Sequence, residues 1–156
     1  MLSDPVAVEA RNGAAPGRRR VLCTPTFVPT DRRQAMTDPR QWAETLFQLV
    51  DRFDADAMAA RMAPDGVLIS VNDAPVVGRD GMRGAVRAFK QAVTSISHEV
   101  LRAWRAGDTI VTELRVTYVR HDGRKVVLPC TNIFDLTGDG LISRYQIFMD
   151  MTPVFA

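Results

Sequence analysis

The chain has little with which to build covalent or metal-centred chemistry: two cysteines and two histidines in 156 residues. Cys23 lies in a proline-bearing N-terminal stretch and Cys130 in a predicted strand, so no disulfide is expected and the cytoplasm is the default compartment. No His/Cys cluster offers a zinc site, no glycine-rich loop offers a phosphate cradle, and no serine sits in a nucleophile elbow. Neither a metal nor a cofactor is expected. No stretch approaches about 18 consecutive apolar residues, which excludes an integral membrane span and leaves no membrane partner to expect.

What is present is the composition of one folded domain: 46% hydrophobic and 24% charged residues. A sequence pI of about 8.8 invites a nucleic-acid reading. The basic excess is local, however. Residues 1–35 carry six arginines against three acidic groups, while the other 121 residues carry 14 basic and 15 acidic groups. No basic face interleaved with aromatics accompanies it, so no nucleic-acid partner is expected. The N-terminal stretch also holds Pro5, Pro16, Pro25 and Pro29 and no apolar periodicity, and residues 1–36 read as a disordered, Pro/Arg-rich extension. Arg18–Arg20 precede Val21-Leu22-Cys23, but Pro25 and Pro29 deny the apolar core of an export signal. Met36 directly precedes a helix start, so translation beginning there is an alternative.

Residues 37–156 form the folded domain. Thr37 or Asp38 caps a helix with Pro39 in its first turn, and Trp42, Leu46, Leu49, Val50 and Phe53 make one apolar face. Asp54 or Asp56 restarts a short helix through Met58 and Met62, ended by Pro64 and Asp65-Gly66. A short strand at 67–71 and a fragment at Val76-Val77 precede a third helix capped by Asp80 and carrying Met82, Val86, Phe89 and Val93. Four long strands come next at 96–106, 109–120, 125–136 and 141–151, punctuated by Gly107-Asp108, Asp122-Gly123 and Gly138-Asp139-Gly140. Helices first and an antiparallel meander after define an α+β fold, three helices covering one face of a curved sheet.

The order of elements, with Leu49-Val50-Asp51, Met62-Ala63-Pro64-Asp65, Asn132-Ile133-Phe134-Asp135-Leu136 and the closing Phe148-Met149-Asp150, resembles the nuclear transport factor 2-like superfamily. It is most similar to the SnoaL-like polyketide cyclase and ketosteroid isomerase-like group. The resemblance implies a cone-shaped α+β roll of the cystatin-like kind, with a deep pocket and a homodimer. It also implies where catalytic groups would stand. The ketosteroid isomerase base falls on Ser70, its tyrosine on Leu46 and its protonated aspartate on Asn132. The Asp-Arg-Asp set of limonene epoxide hydrolases falls on Leu114, Val116 and Ile147, and the acid of a SnoaL-like cyclase on Ile147 as well. No standard catalytic set of the family is retained.

The expected pocket wall is therefore apolar, with Leu114, Val116, Phe134, Ile147 and Met149, and Asn132, Tyr118 and Tyr145 are its polar ligand-binding candidates. His98, on a strand face with Ile96, Val100 and Trp104, is the candidate for proton transfer near neutral pH. Asp73, in the turn after the first strand, is the candidate carboxylate at the mouth. Asp150 is expected away from the pocket, and the Asp135 to Gly140 segment is a hairpin turn rather than a calcium loop, lacking spaced ligands and a closing glutamate. Three functions remain open. The domain binds a small apolar molecule; it is an isomerase, cyclase or dehydratase working beside a carbonyl; or it is a non-catalytic dimeric interaction domain. The outer sheet face, with Glu113, Arg115, Thr117, Thr131, Ile133, Arg144, Gln146 and Phe148, is the expected partner or homodimer surface.

Overall fold

A computed structural model describes residues 38–156. The N-terminal extension, Cys23 and the alternative cap Thr37 lie outside the described residues. The chain runs α1 (Pro39–Asp51), α2 (Ala55–Arg61), β1 (Met62–Ser70), β2 (Val76–Val77), α3 (Gly78–Ala92), β3 (Ser95–Ala106), β4 (Thr109–Val119), β5 (Lys125–Leu136), β6 (Ile142–Phe148) and α4 (Thr152–Phe155). The Asp38 carboxylate accepts from the Arg40 backbone N–H at 3.1 Å, Pro39 occupies the first turn, and Asp54 caps α2 through the Ala57 N–H at 3.0 Å. Each cap satisfies a backbone donor that the first helical turn leaves orphaned. Among the described residues no helix is long and apolar enough to cross a membrane.

The six strands form one sheet in the order β2-β1-β6-β5-β4-β3, antiparallel except where β1 runs parallel to β6. Inward residues of β4 alternate as its sequence demands: Ile110, Thr112, Leu114, Val116 and Tyr118 are all buried. Helix α1 packs on β3, and α3 packs on α2 and β1.

Three expectations need correcting. First, β1 begins at Met62 rather than 67, because the ladder to β6 continues through an irregularity between Met62 and Val67 that accommodates Pro64 and Gly66. A Cβ on Gly66 would stand 2.6 Å from the Ile142 carbonyl oxygen, so only glycine lets the strands approach there. Second, α3 starts at Gly78 and not behind an Asp80 cap; Asp80 sits in its first turn and pairs with Arg83. Gly78 turns the chain at φ 75°, a conformation that favours glycine. Third, Trp104 leaves the face of His98. A register shift between Val100 and Arg102 puts Trp104 opposite Val111, and Trp104 becomes 49% exposed on the outer face. At the end of the chain, β6 stops at Phe148, and the Asp150 carboxylate accepts from the Thr152 N–H at 2.9 Å ahead of α4.

Candidate functional site

Helix α1 ends on Asp51, beside the start of β3. The His98 backbone N–H donates to Asp51 Oδ2 at 3.2 Å, and His98 Nδ1 lies 2.6 Å from Asp51 Oδ1. A carboxylate only accepts, so Nδ1 carries a proton, and in the neutral ring Nε2 presents a lone pair. The Phe47 ring stacks on the imidazole with centroids 4.5 Å apart and planes 16° from parallel. Backbone, carboxylate and stacked ring together fix the imidazole in one orientation. Its side chain is 6% exposed, against 27% for Asp51.

His98 lines a cavity of about 410 Å³ between the sheet and helices α2 and α3. That volume is at the lower end of ligand pockets, roughly 300–1,000 Å³. Phe53, Met58, Met82, Phe89, Met149 and Met151 supply much of the wall, a soft thioether and aromatic surface that adapts to flat apolar shapes. Asp51 does not line this cavity; it lines a second, more polar one of about 300 Å³ on the other side of His98, with Arg40, Glu44, Gln48 and Glu99. With Nδ1 turned to Asp51, Nε2 is the ring nitrogen that makes no hydrogen bond among the described residues.

The remaining polar groups of the wall are mostly neutral. Tyr118 donates to Met149 Sδ at 3.3 Å, and burial raises its hydroxyl above its usual range. Burial also raises the Tyr145 hydroxyl, with the neighbouring acidic groups Cys130, Tyr118 and Asp51 acting in the same direction, and pushes the Cys130 thiol up to about 12. All three groups keep their protons at neutral pH. Cys130 Sγ donates to Asn132 Oδ1 at 3.3 Å, and Asn132 Nδ2 donates to the Tyr145 hydroxyl oxygen at 3.5 Å.

Of the residues singled out from the sequence, His98, Asp73, Tyr118, Tyr145 and Ile147 line the cavity, as does Ser70. Asp73 is exposed at its rim, in the turn where Val71 takes φ 52°, a costly conformation for a β-branched residue. Leu114, Val116 and Phe134 are not in the wall. They are buried in the core at 1%, 0% and 0% exposure, and the Trp42 and Phe47 rings of α1 pack edge-on against Phe134. Asn132 lies behind the wall, reaching it through Tyr145. The residue that the sequence reading missed is Asp51. It belongs to Leu49-Val50-Asp51, but its pairing joins residues 47 positions apart. One signal was available: an acidic residue closes a helix whose last turn holds no basic group, contrary to the helix dipole's preference. Such a carboxylate needs a partner elsewhere. Among the described residues no group of His, Cys, Asp and Glu could hold a metal ion.

A family model described as SnoaL-like domain matches residues 43–145. Comparison with curated protein sequences gives no match. Solved structures with a similar fold include a protein with a ketosteroid isomerase-like fold from Catenulispora acidiphila DSM 44928, in complex with trimethylamine. It is 17% identical with a TM-score of 0.67, covering 72% of this chain and 87% of that one. The epoxide hydrolase/cyclase-like enzyme SalBIII, of pyran ring formation in salinomycin, is 18% identical (TM-score 0.64; 73% and 92% covered). An M. tuberculosis epoxide hydrolase of the LEH-like type is also 18% identical (TM-score 0.63; 75% and 86% covered). At these identities the likeness is one of fold.

Proposed function

The chain belongs to the SnoaL-like domain family, and from that premise we propose that it is an enzyme that moves a proton next to a carbonyl, in the manner of an isomerase, cyclase or dehydratase, on a small apolar molecule held in the cone. The observation that carries this reading is the 2.6 Å pairing of His98 Nδ1 with Asp51, on the wall of an apolar cavity. His98 Nε2 accepts the proton as the α C–H bond breaks. The electron pair of that bond moves into a carbon–carbon double bond and the carbonyl π pair onto oxygen. Asp51 stabilises the imidazolium that forms and keeps the ring from turning. Proton return at the same carbon gives exchange; return at a conjugated carbon gives an isomer. A positioned base of this kind contributes roughly 10²–10⁴-fold in rate. Two of the similar folds carry hydrolase and cyclase names, which supports chemistry in such a cone without naming the reaction here.

The test is deuterium uptake by an enolisable ketone, β-tetralone, in heavy water. Wild-type protein is expected to accelerate uptake and His98→Ala to abolish the acceleration. Equal rates with both proteins would refute the reading. The same proposal includes a homodimer through the outer sheet face, supported by exposed Trp104 and Phe148 on that face. Phe148→Asp is expected to shift the sedimentation coefficient to that of a monomer; an unchanged dimer would exclude this surface.

A further inference from the structure

Helix α1 hands over to α2 through Arg52, Phe53 and Asp54, and hydrogen bonds fix the backbone of this joint. The Phe53 N–H donates to the Val50 carbonyl at 2.9 Å and the Asp54 N–H to the Leu49 carbonyl at 3.0 Å, the paired closure that ends a helix through one left-handed residue. That residue is Phe53, at φ 53°. Asp54 is the cap of α2, so moving the turn along the chain would cost α2 its cap. A side chain with a Cβ is unfavourable in this conformation, and glycine or asparagine is the usual occupant. The chain keeps to that rule elsewhere: of six positive-φ positions among the described residues four are glycine, with Phe53 and Val71 the exceptions. A local violation of this kind points to a use for the side chain.

The surroundings of the ring indicate that use. Phe53 and Phe89 of α3 both line the larger cavity, and their rings meet with centroids 6.4 Å apart and planes 41° from parallel. Phe89 in turn meets Tyr118 of β4 edge to face at 6.0 Å. The rings thus form a row from the α1–α2 joint, past α3, to the sheet. A methylene carbon needs about 3.5–4.0 Å to each neighbouring carbon, so rings 6.4 Å apart leave no passage for a chain between them. Phe53 and Phe89 are each half-buried, which gives the row one side toward the core and another within reach of solvent. Phe89 joins the row from an ordinary helical position, and only Phe53 does so against the preference of its own backbone.

We infer that Phe53 is a specificity-determining residue of the cavity: its ring, completed by Phe89, is the stop that limits how far an apolar ligand extends between the α1–α2 joint and α3. The inference rests on the reading that a small apolar molecule occupies the cavity, and it does not depend on proton transfer at His98. It puts the size limit on a residue that the helix joint by itself would give to glycine.

The experiment is displacement of a neutral fluorophore, N-phenyl-naphthylamine, from the full chain by linear primary alcohols from hexanol to dodecanol. In the wild type, affinity is expected to rise about fourfold per methylene, the worth of one buried CH₂, and to stop rising at a length within the series. In Phe53→Gly and Phe53→Ala the rise is expected to continue beyond that length, which loss of a merely structural ring would not produce. Phe89→Ala should extend it in the same way from the other half of the pair, without touching the helix joint. Thermal unfolding separates the backbone from the ring: Phe53→Gly, which keeps the left-handed turn without strain, should melt roughly 2–8 °C above Phe53→Ala. One stopping length shared by the wild type and the variants would overturn the inference and leave Phe53 a structural residue. A wild type that binds none of the alcohols, or whose affinity never stops rising, would overturn it too. Equal melting temperatures for the glycine and alanine variants would remove the strain from which it starts. Deuterium uptake is measured separately, so a Phe53-dependent stopping length without His98-dependent uptake would sink the proton-transfer reading alone.

Discussion

The inner face of the sheet is covered differently at its two ends. Where α1 lies over β3, the face is closed: Leu114, Val116, Phe134 and Ile110 are fully buried in one core with Trp42, Leu46 and Phe47, whose aromatic rings pack edge-on against Phe134. Where α2 and α3 approach the strands, the same alternation of β3, β4 and β6 delivers His98, Tyr118 and Tyr145 into a cavity. Strand periodicity assigns a residue to a face, while the covering helix decides whether that face becomes core or wall. His98 sits at the junction, stacked on Phe47 of the closed end and reaching the open one.

This contrast predicts effects that separate by region. At the open end, His98→Ala should cost roughly 10²–10⁴-fold in catalysed deuterium uptake while thermal unfolding shows a folded protein. Asp51→Asn, which leaves the imidazole without a carboxylate, should lower the same rate by a smaller factor. At the closed end, Leu114→Ala should cost about 2–5 kcal/mol of stability in denaturant titration, with ligand affinity unchanged in the folded fraction. A Leu114→Ala protein as stable as wild type would mean that this end is not sealed.

A smaller effect tests burial behind the wall. The Cys130 thiol is raised from 9.0 to about 12 in the folded chain by burial, so the folded state holds this proton more tightly than the unfolded state. Its contribution to stability is complete below about pH 9 and is lost as pH rises toward 12. Cys130→Ala should therefore flatten part of the alkaline fall in unfolding free energy measured across that window. A fall of identical steepness in the variant would show that the thiol is reached by solvent.

Much of the fold was legible because its signals are local. Asp38 and Asp54 announced their helices, and β4 and β5 began at Thr109 and Lys125 as their flanking turns required. The illegible parts depend on partners distant in sequence. The extension of β1 back to Met62 comes from pairing with β6, and the outward turn of Trp104 comes from one extra residue in the ladder at Leu101. The site divides the same way. His98, Tyr118 and Tyr145 follow from alternation, but the carboxylate that gives His98 a defined tautomer comes from the end of α1, and no spacing rule links the two. The wall expected from family positions placed Leu114, Val116 and Phe134 in the cavity; they are buried in the core instead.

Whether His98 can act as a base is read from its tautomer. Nitrogen-detected NMR of the imidazole in the ligand-free protein, at a pH where the ring is neutral, is predicted to show Nδ1 protonated and bonded to Asp51 with Nε2 bare. In Asp51→Asn that preference should be lost. A neutral ring protonated at Nε2 in the wild-type protein would contradict this, because Nε2 would then be a donor and could not accept a proton.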